Sequence, residues 1–137
     1  MGEVRAKTKL TNAVDEAMLR RGQIPGDQVR VYETEALVDT GAVRSVVPVH
    51  VAQRLGLGTR GQRVAEYADG RKEAVPVTEP LVIELGGRDT LEEALVLGDE
   101  VIIGQTVLEK LDLFVDCINQ RVIPNPAHPD QPVSKVK

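Results

Sequence analysis

Three apolar residues, Ala36, Leu37 and Val38, run without a break into Asp39-Thr40-Gly41. A carboxylate at the end of such a stretch loses hydration that only a charge, a proton or a hydrogen bond can replace, so its placement needs a reason. Thr40 offers a hydroxyl that donates or accepts, and Gly41 lets the backbone turn and carry its N–H to the carboxylate. The tripeptide is thus a compact anion cradle. Turns are rich in all three residue types, so the surroundings must decide between a cradle and a simple turn.

Those surroundings predict strands. The chain has 137 residues, of which 42% are hydrophobic but only three are aromatic: Phe114, Tyr32 and Tyr67. Its core must come from Val, Leu, Ile and Ala, and the β-branched residues among them favour strands. The length suits one domain with tails. We expect an all-β fold with short helices, with residues 1–123 as the domain and 124–137 as an extended, solvated tail rich in Pro.

Local signals place the elements. Val4 to Thr11 alternates as a half-exposed, edge-type strand. Asn12 then opens a helix with Asp15 and Glu16 in its first turn, Arg20 and Arg21 in its last, and Gly22 beyond its end, which makes 12–22 a helix. Pro25-Gly26 marks a loop, and the next strand runs from about Val29 into Asp39. A short helix follows Pro48 and closes at Gly56. Asp69-Gly70, between alternating segments from Gln62 to Val77, predicts a hairpin. Leu81 to Leu85 reads as a strand, Gly86-Gly87 as a turn and Ala94 to Leu97 as a strand. Val101 to Ile103 meets Gly104 before a helix from Gln105 to Leu111, Phe114 to Ile118 forms a strand, and Gln120 to Ile123 is a further segment able to pair with another strand. The apolar run into Gly followed by a helix ending Arg54-Leu55-Gly56-Leu57 is echoed by Val101 to Gly104 and a helix ending Lys110-Leu111-Asp112-Leu113, a hint of two related halves.

The stretch from Leu37 to Ala42, followed by Ser45-Val46-Val47, resembles the catalytic loop of retropepsin-type aspartic peptidases: apolar, apolar, Asp, Thr, Gly, Ala, two residues, hydroxyl. Val101 to Leu111 is similar to the later element of that family, in which aliphatic residues and a Gly precede a short helix. The resemblance covers roughly Val29 to Asp116, and the whole looks like the small bacterial single-domain members. It implies a closed β fold like one pepsin lobe, working as a homodimer. Asp39 is then the catalytic residue, with Thr40, Gly41 and Ala42 as the active-site loop. The Thr40 position bonds to its mate across the axis, and Ala42 neighbours the substrate cleft. Tyr67, Ala68, Asp69 and Gly70 fall where the family keeps its flap, the hairpin that closes over substrate. The inserted helix departs from the compact viral enzymes.

The chemistry implied needs two Asp side chains a hydrogen-bond length apart, one charged and one protonated. The chain holds a single Asp-Thr-Gly, so two copies must supply the pair across a two-fold axis. The expected activity is an aspartic endopeptidase acting on peptide or protein without cofactor. The alternative is a catalytically inactive dimer of the same fold that binds extended peptides by strand addition.

Other features carry less. A net charge of −4 without a basic block argues against nucleic acid. No apolar run approaches the roughly 18 residues of a membrane span, and no secretory pattern opens the chain, so a soluble cytoplasmic protein is expected. The lone Cys117 suits a reducing compartment and reads as a buried or interface thiol. His50 and His128 lack metal-type spacing, so no metal is expected. Asp116 lacks the hydroxyl and Gly that follow Asp39. Arg20-Arg21, Arg71-Lys72-Glu73 and Glu92-Glu93 read as solvated faces.

Overall fold

A computed structural model describes residues 3–137; Met1 and Gly2, part of the opening segment read above, lie outside the described residues. Nine strands form one curled sheet and two more form a hairpin beside it. The fold is mostly β with three short helices.

Strand β1 (Val4–Asn12) buries Val4, Thr8 and Leu10 while Arg5, Lys7 and Lys9 face solvent, the period-two pattern of its sequence. It is not an edge strand, as its alternation had suggested. β1 pairs with β2 (Val31–Val38) on one side and β6 (Leu81–Leu85) on the other, because its lysines sit over one solvated sheet face rather than along a free edge. Lys7 stands opposite Glu35 and Lys9 opposite Glu33, so cross-strand charge complementarity covers that face.

Helix α1 (Ala13–Arg20) begins as its sequence demands: the Asn12 side-chain oxygen accepts the N–H of Asp15 at 3.0 Å, and its amide donates to the carbonyl of Leu55 at 2.8 Å. Asp15 does more than complement the helix dipole. Buried, it takes the guanidinium of Arg30 through two bonds of 2.8 and 2.9 Å and the Arg30 N–H at 3.0 Å. That clamp fastens the inserted helix to the chain entering β2. The loop between them contains one turn of 3-10 helix at Gly26–Gln28.

After β2 come β3 (Val46–Val47) and α2 (Val49–Arg54), with Pro48 as the residue before the helix. The long hairpin is β4 (Thr59–Glu66) and β5 (Lys72–Thr78). Between β6 and β8 (Leu95–Val96) lies β7 (Arg88–Glu92), which sequence reading passed over because its polar residues carry no apolar alternation. β7 pairs with β6 along its whole length and forms a true sheet edge. β9 (Ile102–Ile103) leads into α3 (Gln105–Leu111), and β10 (Leu113–Asp116) pairs with β11 (Arg121–Pro124).

The two apolar runs ending in Asp39 and Gly104 meet at the centre of the sheet. β2 and β9 pair in parallel at Leu37–Ile102 and Val38–Ile103, while β3 pairs in parallel with β8 and antiparallel with β9. The aliphatic core, including Leu10, Leu55, Ile83, Ile103 and Leu111, lies between this sheet and helices α2 and α3.

Two polar side chains of β7 face inward. Arg88 donates to the carbonyls of Leu111, Asp112 and His128, which ties the end of α3 to the tail. Glu92, read as solvated, is buried against Lys110 at 2.7 Å and the Thr106 hydroxyl at 2.8 Å. The tail is exposed but not free: Asp112 accepts from the Asn125 amide, the Val133 N–H and the His128 ring. Cys117 is an exposed free thiol rather than a buried one.

Candidate active site

Asp39 leaves the end of β2 at the point where the two halves are laced together. Its N–H donates to the carbonyl of Ile103 at 3.0 Å, and its carbonyl accepts the N–H of Ala42 at 3.1 Å. The second bond makes a tight turn of residues 39–42. Within it, the N–H of Gly41 donates to Asp39 Oδ1 at 2.9 Å. A Cβ on residue 41 would stand 3.2 Å from that oxygen, a tight contact that the Asp39 carboxylate would have to yield to. The Asp39 side chain is exposed in the single chain.

The loop after Asp39 is held by residues from the start of α3. Gly104 donates its N–H to Ser45 Oγ at 3.0 Å, Gln105 to the carbonyl of Ala42 at 2.7 Å, and Thr106 to the carbonyl of Val43 at 3.1 Å. The Thr106 hydroxyl lies between the Val43 carbonyl at 3.0 Å and Glu92 at 2.8 Å. Gly104 is needed because a Cβ there would meet the Arg44 carbonyl carbon and oxygen at 2.7 Å and the Ala42 oxygen at 2.9 Å.

A cleft of about 470 Å³ runs from Asp39 to the β4–β5 hairpin. Gly41 and Ala42 line it on the loop side, and Tyr67 and Ala68 on the hairpin side. The hairpin turn is a three-residue loop: Gly70 donates to the Tyr67 carbonyl at 2.9 Å, Tyr67 to the Arg71 carbonyl at 2.8 Å, and Gly70 has a φ of +87°. Asp69 pairs with Arg71 at the tip, so neither it nor Gly70 reaches the cleft. Tyr67 is anchored by its hydroxyl to Glu73 and by its ring under the Arg71 guanidinium, 4.5 Å from the ring centre. The Glu73 carboxylate accepting that bond raises the phenol above its ordinary pKa.

Thr40 does not line this cleft. It shares a separate depression with Asp39, Leu37, Val115 and Cys117. Sequence reading missed Val43, Arg44, Val46, Val64, Leu95 and Leu97, all cleft residues. Only the strand pairings that close the sheet bring Leu95 and Leu97, from about 55 positions away, beside the Asp39 loop, and no local signal announces that. Asp116 is occupied by Asn119 and Arg121, which lower its pKa, and it lies outside the cleft. No cluster of three or more His, Cys, Asp or Glu among the described residues is placed to hold a metal ion.

The family described as "gag-polyprotein putative aspartyl protease" matches residues 21–110, well over half the chain and the whole of the cleft. The chain belongs to that family. No curated protein matches this gag-type protease-family chain. Among solved structures, the retroviral protease-like domain of Ddi1 from Leishmania major is similar at 15% identity and a TM-score of 0.56, covering 98% of this chain and 92% of that one. EIAV protease in complex with the inhibitor HBY-793 is similar at 21% identity and a TM-score of 0.53, covering 79% and 86%. At such identities the likeness speaks for the fold, and it agrees with the sequence resemblance drawn from the Asp39 loop. The gag-type protease-family chain thus carries its Asp-Thr-Gly on a retropepsin-like frame.

Proposed function

We propose that two copies of the chain form one aspartic endopeptidase site, with the Asp39 carboxylates side by side at a two-fold axis. One carboxylate, ionised, removes a proton from water. The other, protonated, donates to the oxygen of the scissile carbonyl as the water oxygen bonds to its carbon. Collapse of the tetrahedral intermediate breaks the C–N bond, with a proton delivered to the leaving amine. Like charges so close cannot both ionise cheaply, so the pair holds one proton between them, and activity is expected from acidic to near-neutral pH. Thr40 then meets its mate across the axis, and the β4–β5 hairpin serves as the flap.

The observation that carries this reading is the Asp39 carboxylate itself: exposed in one chain, cradled by the Gly41 N–H, and set at the mouth of a cleft roofed by a hairpin. A lone surface Asp would not need a loop fastened by Ser45, Gly104 and Thr106. The family membership supports the same chemistry.

The test is cleavage of a diverse peptide library from acidic to neutral pH, comparing wild type with Asp39→Asn, beside sedimentation of both. Cleavage should vanish in the variant while the dimer persists, and pepstatin-like compounds should inhibit the wild type. Equal cleavage by both proteins would end the catalytic assignment. Peptide binding without cleavage in the wild type would instead favour a non-catalytic peptide-binding dimer.

A further inference from the structure

The cleft that begins at Asp39 is apolar along most of its walls, with Ala42, Val46, Val64, Leu95 and Leu97 among its lining. Besides Asp39, two charged residues belong to that lining, Arg44 and Glu66. They are not equivalent. Glu66 ends β4 and is exposed on the hairpin, where solvent and salt screen it. Arg44 is partly buried at the base of the loop.

Arg44 is also held in place. Its backbone packs against Gly104, whose lack of a side chain makes that approach possible, and the adjoining Ser45 and Val43 are fixed by Gly104 and Thr106. Its guanidinium donates from Nη2 to the carbonyl oxygen of Glu93 at 3.1 Å. The Glu93 carboxylate does not neutralise it, because that group is paired with Arg60 at 3.2 Å. Among the described residues, no carboxylate lies within ion-pair distance of Arg44. A positioned guanidinium with donors left over, set in an apolar and partly desolvated wall, is a receptor for a carboxylate.

We infer that Arg44 is a specificity-determining residue: the cleft takes extended peptides with aliphatic side chains near the reacting bond and an acidic side chain at the position that meets Arg44. This inference rests on the reading of the cleft as a peptide site. The anchored rotamer lowers the entropy lost on binding. Glu66 acts in the opposite sense but from a solvated position, so Arg44 sets the sign of the preference.

The experiment uses matched aliphatic peptides in which one position at a time carries Glu, Gln or Lys, given to wild type, Arg44→Gln, Arg44→Lys and Arg44→Glu. Wild type should cleave one Glu peptide about ten-fold better in kcat/KM than its Gln counterpart, the scale of one charge-assisted hydrogen bond. Arg44→Gln should erase the ratio, Arg44→Lys should retain part of it, and Arg44→Glu should turn it toward Lys. Cleavage with equal Glu and Gln rates, or a preference unchanged in Arg44→Glu, would overturn the role of Arg44 and leave the peptidase intact. If no peptide is cleaved, the peptidase reading fails, and fluorescence anisotropy with the same peptides decides the inference. Tighter binding of a Glu peptide that disappears in Arg44→Gln would uphold it; binding without that preference, or no binding, would overturn it. Because the readout is a ratio within each variant, a general loss of stability does not imitate it.

Discussion

Ser45 Oγ accepts the backbone N–H of Gly104 at 3.0 Å, a bond between residues 59 apart in the sequence. It joins the loop that carries Asp39 to the segment that opens α3, both at the sheet centre. Neither group is accessible to water, so the bond matters through what its loss would leave unpaired.

Replacing Ser45 by Ala leaves the Gly104 N–H buried without its acceptor, and the expected cost is about 1–3 kcal/mol in urea denaturation. Gly104→Ala should cost about 3 kcal/mol, because the added carbon collides with the backbone of Arg44 and Ala42 rather than with a side chain that can move. The φ of Gly104 is −94°, so backbone strain plays no part in that loss. A Gly104→Ala protein as stable as wild type would refute the steric account.

The hairpin turn depends on Gly70, whose φ of +87° is unfavourable for other residues although space around it is open. Gly70→Ala should destabilise the turn by about 1 kcal/mol, and Gly70→Asn by less, since Asn tolerates left-handed backbone better. Hydrogen exchange at the Tyr67 and Gly70 amides reads this directly. Protection unchanged in both variants would show that the turn does not limit hairpin opening.

Asp15 is the clearest source of acid sensitivity. The Arg30 guanidinium, against the opposing effect of burial, holds its carboxyl below the ordinary carboxylate range. The unfolded chain therefore takes up this proton at higher pH than the folded one. Asp15 stabilises fully above about pH 4, the unfolded value, and its contribution is lost as pH falls through the lowered folded pKa. Asp15→Ala should cost about 2 kcal/mol at pH 7, moderated by the half-exposed Arg30, with the difference from wild type shrinking toward pH 2. A gap that is constant with pH would exclude this linkage.

Asp112 should make the tail acid-labile in the same sense. The Asn125 amide first, then the Val133 N–H and His128, lower its pKa, opposed by partial burial. Its hold on the tail is complete above the ordinary carboxylate value and fails as pH drops through the lowered one. Proteolysis within residues 125–137 should accelerate at strongly acidic pH in wild type, and already near neutrality in Asp112→Ala. Equal cleavage of both proteins at pH 7 would show that Asp112 does not restrain this segment.

Much of the architecture was legible because its signals act over a few residues. Asn12 with Asp15 fixed the start of α1, Gly104 to Leu111 the start and end of α3, and Asp69-Gly70 the hairpin turn. The Asp39 loop was legible for the same reason: Gly41 and Asp39 are two positions apart. β7 was not, because Arg88 and Glu92 read as surface charge until partners from α3 and the tail bury them. β1 read as an edge because alternation reports which face is wet and says nothing about neighbours in the sheet.

The order of residues alone determined that an Asp-Thr-Gly cradle would follow a buried strand and that the chain resembles retropepsins, since these are short-range patterns of residue type. Tertiary structure alone decided that Arg44 lines the main cleft with Asp39, that Thr40 lies in a separate depression, and that a Cβ at Gly104 would collide with the backbone of Arg44 and Ala42. Those facts arise from contacts between segments tens of residues apart, whose juxtaposition depends on strand pairing and core packing over the whole chain, which no local pattern encodes.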